Sequence, residues 1–254
     1  NFRGRIYIIT RKSIALKMAL FYLENIENTI LSFPAEESKH IVKSLRLKNG
    51  DSLNITDGKG NLVEAVIIDD DPKRCTIEVK ERFQNRDKRP LILHIGIAPT
   101  KNSDRMEWFV EKAVEIGIEK ISFLQCTHSE RNKINLERME RVAIAAMKQS
   151  NTTRLPEIEM MTYSHFLKTY GNESCDKLIA WCNNDNAKQL THYQLNSDKI
   201  ILLIGPEGDF SNSEIQEALN HNFSSIKLGN RRLRTETAAL YGCVIIASKT
   251  LINK

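Results

Sequence analysis

No apolar run in these 254 residues reaches the eighteen or so needed to cross a bilayer, and the longest, Leu91–Ala98 and Ile200–Ile204, have the length of buried strands. No membrane span is expected. The five cysteines, Cys75, Cys126, Cys175, Cys182 and Cys243, contain no C-x-x-C pair and are odd in number, which argues against a disulfide framework. Neither they nor the six dispersed histidines have metal-ligand spacing, so no metal is expected. There is no Gly-Lys-Ser/Thr phosphate loop and no G-x-G-x-x-G, which sets aside a nucleotide-utilising enzyme of those types. A signal-peptide plan is missing as well, since Ile6–Ile9 is too short for an apolar h-region; the chain reads as cytoplasmic.

Positive charge is scarcer than the net value of +5 suggests. Residues 1–17 hold Arg3, Arg5, Arg11, Lys12 and Lys17 and no acid, and the remaining 32 basic residues are matched by 32 acidic ones. Overall basicity is therefore no argument for nucleic acid; only local clusters can be. Met18 opens a sequence that reads as folded protein, so residues 1–17 are either a non-native extension or a genuine basic arm.

What is present falls into two regions. From Leu20 to about Arg82 short strands dominate, at Leu20–Leu23, Ser52–Thr56, Leu62–Ile68 and Cys75–Arg82, separated by Asp57-Gly58-Lys59-Gly60 and Asp70-Asp71-Pro72. They suggest a small β-barrel, interrupted by one helix starting near Ser32 or Pro34. The charged stretch Arg82 to Arg89 reads as a linker closed by Pro90. Beyond it, strands at Leu91–Ala98, Ile121–Cys126, Leu178–Cys182 and Ile200–Ile204 alternate with helices. The first carries Met106, Phe109, Val110, Ala113 and Val114 and stops at Gly117; the second carries Leu136, Met139, Ala143, Ala146 and Met147; the third holds Ile215, Ala218 and Leu219. Such alternation predicts a largely parallel sheet covered on both faces. A last helix, about Thr235 to Leu251, is expected to use Leu240, Val244, Ile245 and Ser248 as one face.

Two segments carry the chemistry. In the first, a buried strand ends in Gly205-Pro206-Glu207-Gly208-Asp209-Phe210, after which Ser211 and Glu214 form a capping box opening a helix. This puts backbone groups at the carboxyl end of a parallel strand, where open α/β sheets bind ligands; a plain strand-to-helix turn is equally compatible with it. In the second, Lys227-Leu228-Gly229-Asn230-Arg231-Arg232-Leu233-Arg234 leads into a helix start at Thr235-Glu236-Thr237-Ala238. Its arginines suit either solvent or a polyanion.

The pair I-G-P-E-G-x-F followed by L-G-x-x-x-L-R-x-E-T-A, in this order, resembles the SPOUT superfamily of methyltransferases, and within it the 16S ribosomal RNA uridine-N3 family. The resemblance extends upstream to Leu20-Phe-Tyr, to His40 through Leu47 with Gly50-Asp51 and Asp57-Gly58, to Lys101, and to Glu107, Lys112-Ala-Val-Glu115 and Gly117. It begins at Met18. It implies a PUA-like β-barrel for RNA binding over residues 18–86 and a trefoil-knotted α/β methyltransferase domain over 90–254, acting as a homodimer. By the same resemblance Ile204, Gly205, Pro206, Gly208, Leu228, Gly229, Leu233, Thr237 and Ala238 are expected to bind S-adenosylmethionine. Two departures stand out. Asp209 replaces a more usual glycine, and Lys148-Gln149-Ser150-Asn151-Thr152 lacks the family's arginine, although Arg154 lies two positions on.

The implied activity is methylation of N3 of a uridine in small-subunit ribosomal RNA, free or in the subunit. Transfer from a sulfonium needs placement of the nucleophile and removal of the imide proton, which a nearby cation favours. Arg234 is the expected cation, and Glu207 or Glu236 the proton acceptor; Glu207 serves equally well as an acceptor for loop N–H groups. Lys39, Lys43, Arg46 and Lys101 are expected phosphate contacts, with ordinary solvated charge as the alternative. The competing reading is a non-catalytic RNA-binding protein with a degenerate methyltransferase domain, against which the intact glycines of both loops speak.

Overall fold

The computed structural model describes residues 19–181 and 187–252, and the chain divides into two compact units. One holds the described residues up to Lys88 together with Met147–Arg154; the other holds Arg89–Ala146 and the described residues from Leu155 onward. The extension expected over residues 1–17 and the strand end expected at Cys182 lie outside the described residues.

The first unit is a five-stranded mixed sheet in the order β1 (Leu20–Tyr22), β3 (Ser52–Thr56), β4 (Leu62–Asp69), β5 (Thr76–Phe83), β2 (Ile30–Ser32). β1 runs parallel to β3 and the other pairs are antiparallel, with register shifts in β4–β5 at Glu64/Ala65 and Ile67/Asp69 that bend the ladder. Alternate residues Leu53, Ile55, Val63, Ala65, Ile67 and Ile77 enter one core with Phe21, Phe33 and Ile41. The expected helix is α1 (Ala35–Lys39), which continues as a π-helical turn, His40–Ser44, and buries Ser38 and Ile41. The Ser38 hydroxyl donates to Phe33 O and accepts from the Cys75 amide, so no buried hydrogen-bonding group is wasted there. Strand β2 was not expected, being three residues long with Ile30 exposed.

The second unit is built on a seven-stranded sheet, parallel throughout, with strand order β10 (Lys188–Gln189), β12 (Ser224–Lys227), β9 (Asp176–Ala180), β11 (Lys199–Ile204), β6 (Ile92–Ile97), β7 (Lys120–Gln125), β8 (Glu157–Thr162). Its helices are α2 (Ser103–Ile116), α3 (Leu136–Ser150, whose residues from Met147 on group with the first unit), α4 (Tyr163–Tyr170), α5 (Asn212–Asn220) and α6 (Thr235–Ile252). The expected strands and helices appear with ends shifted by one or two residues. Strand β8, helix α4 and the short β10 add to them. The central strands are buried on both faces: Ile200, Ile201, Leu202 and Leu203 are fully inaccessible, as expected of strands covered by helices on either side.

Strand order places the ends of the chain's loops. After β6, β7 and β8 are laid down outward, β9 begins on the other side; β11 is then inserted between β9 and β6, and β12 between β10 and β9. The segments following β11 and β12 therefore flank the end of β9. This is a switch point of an open parallel sheet, the place where such sheets offer a crevice.

Helix α6 corrects one expectation. Its buried residues are Thr235, Glu236, Ala239, Gly242, Cys243, Ile245 and Ile246, whereas Val244 is 47% exposed and Tyr241 42%. The helix is apolar on nearly all sides, so periodicity alone could not choose its inner face.

Candidate functional site

The first glycine loop leaves β11 at Ile204 and turns at once. Asp209 N donates to Pro206 O at 3.0 Å, and Asp209 itself sits in the left-handed region at φ 63. Aspartate is among the few residues with a side chain that tolerate this conformation, and here its Oδ1 accepts from the Phe210 amide at 2.8 Å. The departure from glycine at 209 is thereby accommodated. Phe210 is buried against Tyr163, with ring centroids 5.5 Å apart, and a Cβ at Gly205 would lie 3.1 Å from its ring. Residue 205 is thus small because an aromatic anchor of the same turn occupies the space. The capping box at Ser211 and Glu214 opens α5 as expected, and Glu214 Oε1 also accepts from the Thr127 amide at 2.7 Å, tying in the segment after β7.

The second loop leaves β12 at Lys227 and ends where α6 begins. Gly229 has φ 146 and no atom within 4 Å of a Cβ position, so its backbone borders open space. Three bonds brace this loop. Thr235 Oγ1 donates to Gly205 O at 3.2 Å and Arg232 Nη2 donates to Glu207 O at 3.2 Å, each linking it to the first loop; Gln189 donates to Asn230 Oδ1 at 3.2 Å. The two loops form one wall system.

Between them lies a cleft of about 940 Å³, the size of a small-molecule site. Ile204, Ile226, Leu228, Leu233 and Ala238 give it apolar walls, while backbone groups of the glycine turns and the side chains of Arg105, Arg231, Arg232, Arg234 and Glu207 supply polarity. Glu207 Oε1 is 3.4 Å from the Lys101 amide, and its Oε2 is buried with no hydrogen-bond partner among the described residues. A buried carboxylate oxygen left without a donor is costly in a protein alone and leaves an acceptor at the cleft open to a donor from outside the chain.

Eight of the nine residues expected to touch a cofactor line this cleft: Ile204, Gly205, Pro206, Gly208, Leu228, Gly229, Leu233 and Ala238. Thr237 does not, and is exposed. Of the three expected catalytic residues, Arg234 and Glu207 line the cleft. Glu236 is outside the lining and 6% exposed, with Oε1 3.8 Å from Arg105 Nε. Sequence reasoning missed Arg105, Trp181 and His128. The first two line the cleft; the third packs its Cβ 3.2 Å from a Cβ position at Gly208, and its Nδ1 lies 3.1 Å from Asp209 O. Arg105 could have been suspected from its place in the first turn of a helix following a strand of the sheet. Nothing in the sequence marked the other two.

Lys39, Lys43 and Arg46 are exposed within eight residues of one another in the first unit, and Lys101 lies in the second, its amine 3.6 Å from Glu130. The segment at Lys148 to Arg154 is committed to packing within the first unit. Lys148 pairs with Glu37 at 2.7 Å, and the Arg154 guanidinium covers Gly60 while its Nε donates to Arg86 O at 3.2 Å. Arg154 is therefore held by contacts within the first unit.

Comparison with known proteins bears on most of the chain. Residues 87–247 match the family model of the RNA methyltransferase domain, and residues 33–80 that of the RNA methyltransferase PUA domain. The chain is 31% identical over 235 residues to the ribosomal RNA small subunit methyltransferase E of Buchnera aphidicola subsp. Acyrthosiphon pisum, covering 88% of this chain and 90% of that protein. It is 32% identical over 208 residues to the protein of the same name from Mesomycoplasma hyopneumoniae, covering 79% and 86%. Among solved structures, one described as a probable rRNA-methyltransferase from Porphyromonas gingivalis superimposes with a TM-score of 0.85 at 38% identity, covering 93% of this chain and all of that one. The Neisseria gonorrhoeae ribosomal RNA small subunit methyltransferase E bound to S-adenosyl methionine gives 0.79 at 27% identity, covering 92% and 98%.

Proposed function

The chain belongs to the RNA methyltransferase family with a PUA domain and a SPOUT-like parallel sheet, and from that membership we propose that it transfers a methyl group from S-adenosylmethionine to N3 of a uridine in small-subunit ribosomal RNA. The observation that carries this reading is the cleft between the two glycine loops. Its apolar walls suit an adenine ring, its turn backbones suit the hydrogen-bonding edges of a nucleoside, and Arg231 and Arg232 of the second loop suit an amino-acid carboxylate. Ile204, Gly205, Pro206, Gly208, Leu228, Gly229, Leu233 and Ala238 would hold the cofactor, which supplies an electrophilic methyl group on a sulfonium sulfur.

The protein's part in the chemistry is placement, a base and a cation. Glu207, with its unpartnered Oε2 at the cleft, is the proposed acceptor of the N3 proton. Arg234, exposed at the cleft and with no described side-chain partner, is well placed to meet the arriving RNA. Because N3 lies on the pairing edge of uridine, the base must be unpaired or flipped to enter. Lys39, Lys43 and Arg46 on the 18–86 domain, with Lys101 beside the cleft of the 90–254 domain, are proposed phosphate contacts.

Three further parts of the reading follow from the family. The chain acts as a homodimer: α2 and α6 pack on one another, and each leaves large apolar side chains, Trp108, Tyr241 and Val244, exposed. The C-terminal part is threaded as a trefoil knot, consistent with the insertion of β12 between two strands laid down before it. The site of action is the cytoplasm, where ribosomal RNA is made and assembled; no helix among the described residues is long and apolar enough to cross a membrane. The reading is tested by incubating the protein with S-adenosylmethionine and unmethylated small-subunit RNA, digesting the RNA and identifying the modified nucleoside by mass spectrometry. N3-methyluridine at one position is expected; methylation at a ribose, at another base atom, or none at all would overturn it.

A further inference from the structure

Methylation at uridine N3 needs positive charge fixed where the imide becomes an anion, and the cations of the cleft differ in how firmly they are held. Arg231, Arg232 and Arg234 are exposed on the second loop; none has a carboxylate partner among the described residues, although Arg232 donates to Glu207 O at 3.2 Å. Arg105 comes from a different element, the first turn of α2, whose buried face includes Met106, Phe109, Val110 and Ala113 and which packs against α6. Its Nε lies 3.8 Å from Glu236 Oε1, too long for a hydrogen bond but within range of a charge pair.

Glu236 is an unusual partner. It is 6% exposed and sits in the first turn of α6, where the helix dipole favours a carboxylate. Its Oε2 is buried and has no hydrogen-bond partner among the described residues. A carboxylate so buried relies on a nearby cation, and Arg105 is the only ion-pair partner it has among the described residues. The arginine at the cleft and the acid behind it are therefore one device, with helix α2 fixing one charge and helix α6 the other.

Resting on the uridine-N3 reading of this cleft, we propose that Arg105 is a catalytic residue whose guanidinium stabilises the N3 anion, and that Glu236 is the positioning residue that holds it at the cleft. In the step, N3 gives its proton to the Glu207 carboxylate, and its electron pair forms the bond to the methyl carbon. The carbon–sulfur bond breaks with its electron pair left on sulfur. Charge on the uracil ring is spread over N3 and the two carbonyl oxygens beside it before that bond forms, and a guanidinium can donate its N–H groups to one of those oxygens, leaving the N3 electron pair free for the methyl carbon. A cation anchored by a buried acid stands ready for this charge without reorganising, which is what makes fixed electrostatics effective.

The test uses Arg105→Gln, Arg105→Lys, Glu236→Gln and the double variant Arg105→Gln/Glu236→Gln in the full chain. Arg105→Gln is expected to lower the single-turnover rate at saturating small-subunit RNA by about a hundredfold at neutral pH. That deficit should shrink as pH rises, because N3 then ionises without help. S-adenosylmethionine affinity by calorimetry and the salt slope of RNA binding should be unchanged, and Arg105→Lys should recover only part of the rate. Glu236→Gln is expected to cost less and to add nothing in the Arg105→Gln background. Near-normal turnover in Arg105→Gln, a deficit independent of pH, loss of cofactor affinity, or additive effects in the double variant would each overturn the proposal. Failure of the unaltered protein to methylate any uridine at N3 would instead defeat the parent reading. If Glu236→Gln does not fold, the pH profile of Arg105→Gln decides alone.

Discussion

Two corners of the parallel sheet treat their polar groups in opposite ways. At the amino-terminal ends of β6, β7 and β8, His94 Nε2 lies 2.7 Å from Ser122 Oγ, Ser122 donates to Glu159, and the Tyr170 hydroxyl donates to the same carboxylate oxygen at 2.9 Å. Lys120 pairs with Glu157 at 2.8 Å and with Glu159 at 3.2 Å. Because the single Ser122 proton goes to Glu159, His94 must donate from Nε2, and burial, which disfavours the charged ring, makes this the Nε2–H tautomer. At the carboxyl-terminal ends of β11 and β12 the pattern reverses: Glu207 Oε2 is bare, the backbone at Gly229 borders open space, and arginines stand exposed. One corner satisfies itself and contributes stability. The other is left incomplete, as a site for a ligand is.

The comparison is broken most severely at Gly205. Gly205→Val would force a branched side chain into the ring of Phe210, 3.1 Å from a Cβ position, in the turn that shapes the cleft. S-adenosylmethionine affinity is expected to fall by more than about a hundredfold, roughly 2.7 kcal/mol, as read by calorimetry on protein whose circular dichroism is unchanged. Retained affinity in a folded variant would remove the first loop from the site.

The complementary change is Ser122→Ala. It strips His94 and Glu159 of their shared partner and should lower unfolding free energy by about 1–3 kcal/mol in denaturant titration. Cofactor affinity should stay within about twofold of the unaltered protein, a difference under half a kcal/mol. A loss of affinity matching that at Gly205 would mean the two corners are not separate in function.

The amino-terminal corner also has a signature in pH. Burial, and secondarily the charges of Lys120 and Lys199, push the His94 imidazole down to about 3. In the unfolded chain the same ring takes a proton near the ordinary value of about 6.5. Above that value His94 adds no pH dependence. Below it the unfolded state binds one more proton than the native state, so stability falls by about 1.4 kcal/mol per pH unit as pH drops from near 6 toward 4. Subtracting the slope of His94→Gln from that of the unaltered protein isolates this contribution; identical slopes would contradict the assignment of a neutral buried ring.

The smallest expected effect is at Asp209. Asp209→Gly removes a left-handed aspartate and its bond to the Phe210 amide together, so the gain in backbone ease and the loss of the bond largely offset, and unfolding free energy should shift by less than about 1 kcal/mol. A larger loss would show that the side-chain bond, not the turn, shapes the loop.

The carboxyl-terminal corner was the more legible of the two in the sequence. Paired glycine turns, a capping box and a basic loop leave local marks, and eight of the nine expected lining residues fall on the cleft. Thr237 and Glu236 fall outside the lining, and because α6 is apolar on nearly all sides the sequence offers no inner face from which to orient its first turn. Trp181 reaches the cleft through strand order, which no local pattern encodes, and Arg105 was marked only by its place in the first turn of a helix that follows a strand. The amino-terminal corner went unread for a related reason. Strand β8 alternates Glu157-Ile158-Glu159-Met160 over only four residues, and α4, with Tyr163, Phe166, Leu167 and Tyr170 at helical spacing, is eight residues long; both patterns are too short to stand out in a sequence.

The most direct measurement is methyl transfer itself, compared between the two corners. Small-subunit RNA lacking the modification is incubated with S-adenosylmethionine and the unaltered protein, Ser122→Ala or Gly205→Val, and the N3-methyluridine formed per RNA is quantified by mass spectrometry. The account expects close to one methyl group per RNA with the first two and none with the third; N3-methyluridine formed by Gly205→Val at the unaltered rate would contradict it.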